Sequence, residues 1–406
     1  MHLPAIDPRQ RNVMILTSIA TKIFVLLFLV IVFHSFVDMY DYQLYAESVQ
    51  NILSGALPWA NGVAVFYPPL AFVPMIIAYL VATVTGALGF FITMWVLLAA
   101  CDIVTVLCIY YIGLKLYSEK TAYIAAMLYA TAISVAYYSL CKYDAFPICL
   151  AMLAILATVY NDKTKGYLAS VIGLFVKIWP VILYPFLWIY NSGESSLSSL
   201  IVEGKKHAIG ILLVTIVLFV SMIAVGYSAF LVYTDTIYCN TLVYTVSQYL
   251  QLAGIQIPFS AMITVFHILT TGIILGALYY LYKKPKTPGL LLKVLLIALM
   301  ATVLLMQYRS PQYSIWFMPL AALLLATDIW GILLFISVQI LSFIEFPFAF
   351  WTLYTNSEYT SPLALGFFTL FFLAYGLLLW RALKMDESKH HTDHTRVSKR
   401  KNKSRH

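Results

Sequence analysis

The chain has 406 residues, of which 62% are hydrophobic and only 10% charged, and its mean hydropathy is +0.88. So few charges cannot cover the surface of a soluble protein of this size, and repeated apolar runs of about 17–25 residues require a multi-span helical membrane protein. The net charge of +8 does not point to nucleic acid: residues 381–406 hold nine Lys/Arg against three Asp/Glu, a tail accounted for by the positive-inside rule and contact with anionic lipid.

In chain order, Arg9 and Arg11 precede the first apolar run, which places the N-terminus in the cytoplasm. That run, about 13–34, has Lys22 as its only charge and no small-residue cleavage site after it, so it reads as a retained helix. It delivers Asp38 and Asp41 to the far side of the membrane. A polar, aromatic stretch follows, with Tyr40, Tyr42, Tyr45, Glu47, Gln50, Asn51, Gly55, Trp59 and Asn61, and it runs on to Phe66-Tyr-Pro-Pro-Leu70. Two apolar runs come next, about 66–84 and 89–113, before Lys115 and Lys120. If both crossed, these lysines and every later basic loop would change sides. We therefore expect 66–84 not to cross, because Pro68 and Pro69 disfavour a regular span from that point, and residues 35–88 to form one large external region.

Helices are expected at 89–113, 122–140 and 146–160, which puts Asp144 on the same side as Asp41. The run 167–190 would again invert the later charges. A broken hairpin kinked at Lys177-Ile-Trp-Pro180 restores the rule, with arms of about eleven residues that are too short to cross. Further spans are expected at about 208–227, 258–282, 290–306, 312–327, 329–345 and 362–381. A polar loop at 227–256, with Asp235, Asn240 and Gln248, and another at 307–313 lie outside. The fold class is thus all-α and polytopic, with a large first external loop containing short membrane-associated helices. Residues 1–382 form one transmembrane domain of about 10–13 segments, and residues 383–406 form a basic cytoplasmic tail.

Ionisable groups in or at the edge of a membrane are costly and therefore mark function. This topology gathers Asp38, Asp41, Asp144, Lys177 and Arg309 on one face. The plain reading of Asp38 and Asp41 is a pair of acids marking the water boundary; the chemical reading is a general base, with Asp41 preferred. Lys177 is either a snorkelling lysine or a buried cation facing a phosphate, the second preferred from its mid-run position. Arg309, flanked by Gln307, Ser310 and Gln312, is an interface anchor or a second phosphate ligand. Asp144 is a substrate-binding acid or the partner of Lys142 in a surface ion pair. Asp102, inside a helix, has no obvious partner and suits a structural hydrogen bond. The five cysteines form no CxxC pair and no cluster with histidine, so neither a metal nor a cofactor is expected.

Four stretches carry a resemblance. Asp41-Tyr-Gln-Leu-Tyr45, with Gly55 and Tyr67-Pro-Pro-Leu70 after it, is similar to the first external loop of the GT-C superfamily of membrane glycosyltransferases. Tyr143-Asp144-Ala145 resembles their second loop, although Cys141-Lys142 stands where relatives carry a Gly-Gln pair. Gly173-Leu-Phe-Val-Lys-Ile-Trp-Pro180 resembles the family's Gly…Lys-x-x-Pro element. Ser310-Pro-Gln-Tyr-Ser-Ile-Trp-Phe-Met-Pro319 resembles a stretch of the polyprenol-phosphate-mannose-dependent mannosyltransferase branch. The resemblance implies an inverting transferase at the cell membrane. It would move one hexose, mannose by this branch, from a polyprenyl-phosphate sugar donor to a hydroxyl of a glycan or glycolipid acceptor on the extracytoplasmic face. Asp41 would be the base, with Tyr45, Tyr67, Asp144 and Gln312 against the substrate; Lys177 and Arg309 are assigned to the departing phosphate on physical grounds. The alternative is a transporter or flippase of lipid-linked saccharides, which predicts pseudo-symmetric halves; the proline-rich N-terminal loop has no second-half counterpart.

Overall fold

A computed structural model describes residues 2–32, 39–58, 60, 67–205, 216, 220, 240–354 and 362–384, the side chains of 350–354 excepted. Asp38, Trp59, Asn61, Phe66, all but residues 216 and 220 of the span expected at 208–227, Asp235 and tail residues 385–406 lie outside the described residues. The described chain is all-helical, and its long apolar helices make it a polytopic membrane protein.

The N-terminal helices are α1 (Pro8–Val32), α2 (Tyr40–Leu53), α3 (Phe72–Thr85), α4 (Ala87–Leu116), α5 (Glu119–Ala130), α6 (Ile133–Cys141), α7 (Ala145–Val159), α8 (Lys163–Val176) and α9 (Leu183–Asn191). After the undescribed stretch come α10 (Leu242–Leu252), α11 (Phe259–Lys283), α12 (Pro288–Leu305), α13 (Met318–Leu325), α14 (Ile329–Phe343) and α15 (Pro362–Leu383). Among the described residues six helices are long and apolar enough to cross a bilayer: α1, α4, α11, α12, α14 with its continuation to Ala349, and α15.

The segment expected not to cross opens with a 3₁₀ turn at Pro69–Ala71 and continues as α3, whose 14 residues reach about 21 Å at 1.5 Å per residue, short of a hydrocarbon core of about 30 Å. Gly86, at φ +78°, then reverses the chain into α4, a conformation other residues rarely adopt. The run expected to be broken near Lys177 is broken there, as α8, a 3₁₀ turn at Trp179–Ile182, and α9.

Two expected spans take another form. The run 122–140 bends by 50° between α5 and α6. Thr131 donates its hydroxyl to the Met127 carbonyl and Ala132 turns extended (ψ 109°), so the helical ladder stops and restarts. The run 312–327 is a 3₁₀ turn at Pro311–Trp316 followed by the two-turn α13. Pro311 and Pro319 each lack an N–H, which breaks the continuous span into short pieces. Every residue of α13 is buried, packed against α4, α5, α12, α14 and α15. This run is therefore the core of the bundle rather than a lipid-facing helix.

Two charges buried within long helices, Lys22 and Asp102, find each other. Lys22 on α1 pairs with Asp102 Oδ2 on α4 and donates to Ser18 Oγ at 3.0 Å, while Tyr129 on α5 donates to Asp102 Oδ1 at 2.9 Å. Asp102 thus has the structural role open to it on sequence grounds. The network fastens α1 to α4 and α5 with both carboxylate oxygens satisfied.

Candidate functional site

α2 buries one face, with Tyr42, Tyr45, Ser48 and Val49 at helical spacing, and leaves Asp41 half-buried in its first turn. Tyr45, one turn on, donates its hydroxyl to Asp41 Oδ2 at 3.3 Å. The ammonium of Lys142 lies 2.9 Å from the same oxygen. Lys142 follows the last residue of α6 and is extended (φ −136°, ψ 157°), so its side chain leaves the helix direction; it is only 7% exposed and also sits 5.5 Å over the Phe346 ring. The pairing of Lys142 with its near neighbour Asp144, which sequence proximity suggests, is not what forms. Among the described residues no protein group bonds Asp41 Oδ1. Burial, reinforced for Tyr42 by nearby Cys141 and Asp41 and for Tyr45 by Tyr67 and Asp41, raises both phenols well above their ordinary pKa, so both stay neutral and Tyr45 serves as a donor.

Asp144 opens α7 but does not cap it. Its Oδ1 instead accepts from Lys177 Nζ at 2.6 Å and from the Trp316 indole at 2.7 Å. Lys177 terminates α8 in extended conformation (φ −155°, ψ 144°) because Pro180 cannot continue the ladder. Gly173 lets the chain fold back there: a Cβ on it would lie 3.0 Å from the Pro180 Cβ. Four rings surround the ammonium, those of Tyr143 (5.1 Å), Tyr313 (5.2 Å), Trp316 (5.4 Å) and Tyr67 (5.6 Å). Trp179, Trp316 and Tyr313 stack in succession, and the Tyr143 hydroxyl donates to the Val176 carbonyl.

Tyrosines join the two ion pairs. The Tyr45 ring lies 5.9 Å from Tyr67 and 6.1 Å from Tyr143, and Tyr67 and Tyr143 are 4.6 Å apart. Asp41, Tyr45, Tyr67, Asp144 and Lys177, drawn from three distant stretches, therefore form one cluster. An ammonium has three N–H donors, and Lys177 gives one to Asp144. The remainder face aromatic π-systems, which are weak partners that an oxyanion outcompetes.

Arg309 is placed differently. It is fully buried, paired with Glu345, donates its Nε–H to the Asn240 carbonyl at 3.3 Å and lies 4.6 Å over the Phe371 ring. Asn240 in turn donates to Glu345 Oε1 at 3.1 Å and to the Arg309 carbonyl at 2.8 Å. A guanidinium without solvent access and already neutralised by Glu345 does not present its charge to a ligand, which corrects its assignment to a phosphate. Gln312 is buried and accepts from Ser310 Oγ at 2.5 Å within its own turn. Sequence reasoning passed over Lys142 as a partner of Asp41, Glu345 as a partner of Arg309, and the rings of Tyr143, Tyr313 and Trp316 around Lys177. The rings sat inside the very motifs that carried the resemblance; Glu345 carried no local signal.

An open cavity of about 760 Å³ lies between the end of α10 and the start of α11, lined among others by Ser247, Gln251, Gln256, Phe259 and Met262. None of the sequence-predicted site residues lines it. Among the described residues no three His, Cys, Asp or Glu side chains converge as a metal ion would need. No family model matches the chain, and no curated protein matches it.

Proposed function

We propose that this protein is an inverting membrane glycosyltransferase that moves one hexose, mannose by resemblance, from a polyprenyl-phosphate sugar to an acceptor hydroxyl on the extracytoplasmic face. One observation carries the reading. A half-buried carboxylate with one oxygen unengaged by described residues and a caged ammonium with spare donors share a single tyrosine-lined cluster.

The chemistry needs those parts. The acceptor hydroxyl attacks the anomeric carbon, and its proton passes to Asp41 Oδ1. The bond between the anomeric carbon and the phosphate oxygen breaks, and its electron pair leaves with the polyprenyl phosphate. Attack opposite the departing oxygen inverts the anomeric centre. Charge grows on the phosphate as the bond breaks, and Lys177, held by Asp144 and Trp316, stabilises it in a setting poor in water. The tyrosine rings supply flat apolar faces for a sugar. Since phosphate leaves readily, no acid is needed opposite Asp41.

The test is Asp41→Asn in proteoliposomes made with lipid extracted from cells lacking the protein and supplied with radiolabelled polyprenyl-phosphate mannose. Loss of a positioned general base costs about 10²–10⁴-fold, and we expect transfer to fall within that range. Transfer at the wild-type rate removes Asp41 as the base.

A further inference from the structure

We propose that Lys142 is a positioning residue. It holds Asp41 by Oδ2 so that Oδ1 alone receives the acceptor's proton. The inference rests on the reading of Asp41 as the base, and it adds how that base is aimed.

Two observations on the molecule carry it. First, both partners of Asp41 meet one oxygen: the Lys142 ammonium forms an ion pair with Oδ2 at 2.9 Å and the Tyr45 hydroxyl donates to it at 3.3 Å. A carboxylate held at one oxygen by two partners is restrained about its terminal torsion, which gives its other oxygen a preferred direction. Second, Lys142 is 7% exposed and reaches Asp41 from an extended backbone at the end of α6, which is buried from Ser134 to Cys141. A lysine held out of water needs a stated partner, and this one is spent on an acid of another segment. The neighbouring acid is held in the same way, with Lys177 and Trp316 both on Asp144 Oδ1.

Tyr45 alone would leave the carboxylate loosely held, because a neutral hydroxyl at 3.3 Å is a weaker and longer bond than an ammonium at 2.9 Å. A misplacement of about 1 Å costs about 10²-fold in rate. The same assay, on the full-length protein, reads the effect. Lys142→Met should lower kcat by about 10–100-fold with the KM for polyprenyl-phosphate mannose within about twofold, as expected when only transition-state alignment is lost. Lys142→Arg should recover most of it. Wild-type kcat in Lys142→Met, or a raised KM with kcat unchanged, overturns the proposal. If Asp41→Asn is inactive while Lys142→Met keeps its kcat, only the positioning role falls; if Asp41→Asn transfers normally, the base falls and takes the positioning role with it.

A measurement without turnover stands beside this. Melting of the purified protein in detergent is followed for Asp41→Asn, Lys142→Met and the double variant. We expect each single change to lower the midpoint by about 2–4 °C and the double variant to melt no lower than the worse single one. Additive losses show that the two side chains do not act on each other, and sink the proposal.

Discussion

Two acids set in this bundle contrast a pair that fastens helices with the pair proposed to serve chemistry. Asp102 is buried among α1, α4 and α5, with Lys22 on one carboxylate oxygen and Tyr129 on the other; Lys22 is itself shared with Ser18. Asp41 also faces a lysine and a tyrosine, but both meet the same oxygen. The residue types are the same and the distances similar. In the first cluster each carboxylate oxygen has a protein partner and the group is buried, so a ligand has no free oxygen to meet. In the second, one direction is left to whatever enters. Lys177 repeats the pattern from the cationic side, with a single carboxylate partner and four rings; Arg309 differs in being enclosed out of reach by Glu345, Asn240 and Phe371.

That contrast can be broken most directly at Asp102. Lys22→Met leaves a buried carboxylate without its cation, and removing one partner of such a pair costs about 3–5 kcal/mol. The purified variant should unfold correspondingly earlier in a denaturant or thermal series, and Lys22→Met with Asp102→Leu should recover most of the loss. A single change that left stability untouched would remove Asp102 from the architectural class. Lys177 sharpens the comparison. Lys177→Met should reduce sugar transfer by about 10²-fold, the scale of one lost transition-state donor. Adding Asp144→Asn should restore stability without restoring transfer, because the fold needs the charges balanced and the chemistry needs the ammonium. Recovery of transfer in the double variant would reassign Lys177 to the scaffold.

The smallest effect is expected at Tyr42, whose hydroxyl is buried and has no hydrogen-bond partner among the described residues. Tyr42→Phe should change stability by less than about 1 kcal/mol at neutral pH, since no bond is lost. Burial holds this phenol protonated in the folded protein above its ordinary pKa of 10.0. The unfolded chain begins to ionise near that value, so this contribution to stability is complete below about pH 10 and is lost as the pH rises further. A melting series from pH 9 upward should therefore fall less steeply for Tyr42→Phe than for the wild type.

Much of this was legible in the chain and some was not, for physical reasons. The membrane class followed from composition. The short segment after Pro68-Pro69 and the break at Lys177-Ile-Trp-Pro180 followed from local backbone chemistry, which proline carries in any context. Asp41, Asp144 and Lys177 stood out because charge beside an apolar run is costly wherever it falls. Partnership did not stand out. Lys142 lies two residues from Asp144 yet pairs with Asp41, because the chain turns extended between α6 and α7 and sends neighbouring side chains apart. Arg309 finds Glu345, and Lys22 finds Asp102, only when helices distant in sequence pack together, and no periodicity within one helix encodes that. The expected span at 312–327 failed for a related reason: hydropathy does not distinguish the lipid-facing side of a bundle from its centre.

The tie between Lys22 and Asp102 has a consequence for how the protein is made. A chain grows from its N-terminus, so the lysine of the first helix is synthesised eighty residues ahead of the acid that neutralises it. A nascent chain that has not reached α4 carries the Lys22 ammonium in α1 without the acid that pairs with it. That segment can take its final seat only after the whole of α2 and α3 has been synthesised. The final seating of α1 thus waits for α4, and the arrival of Asp102 is what permits it.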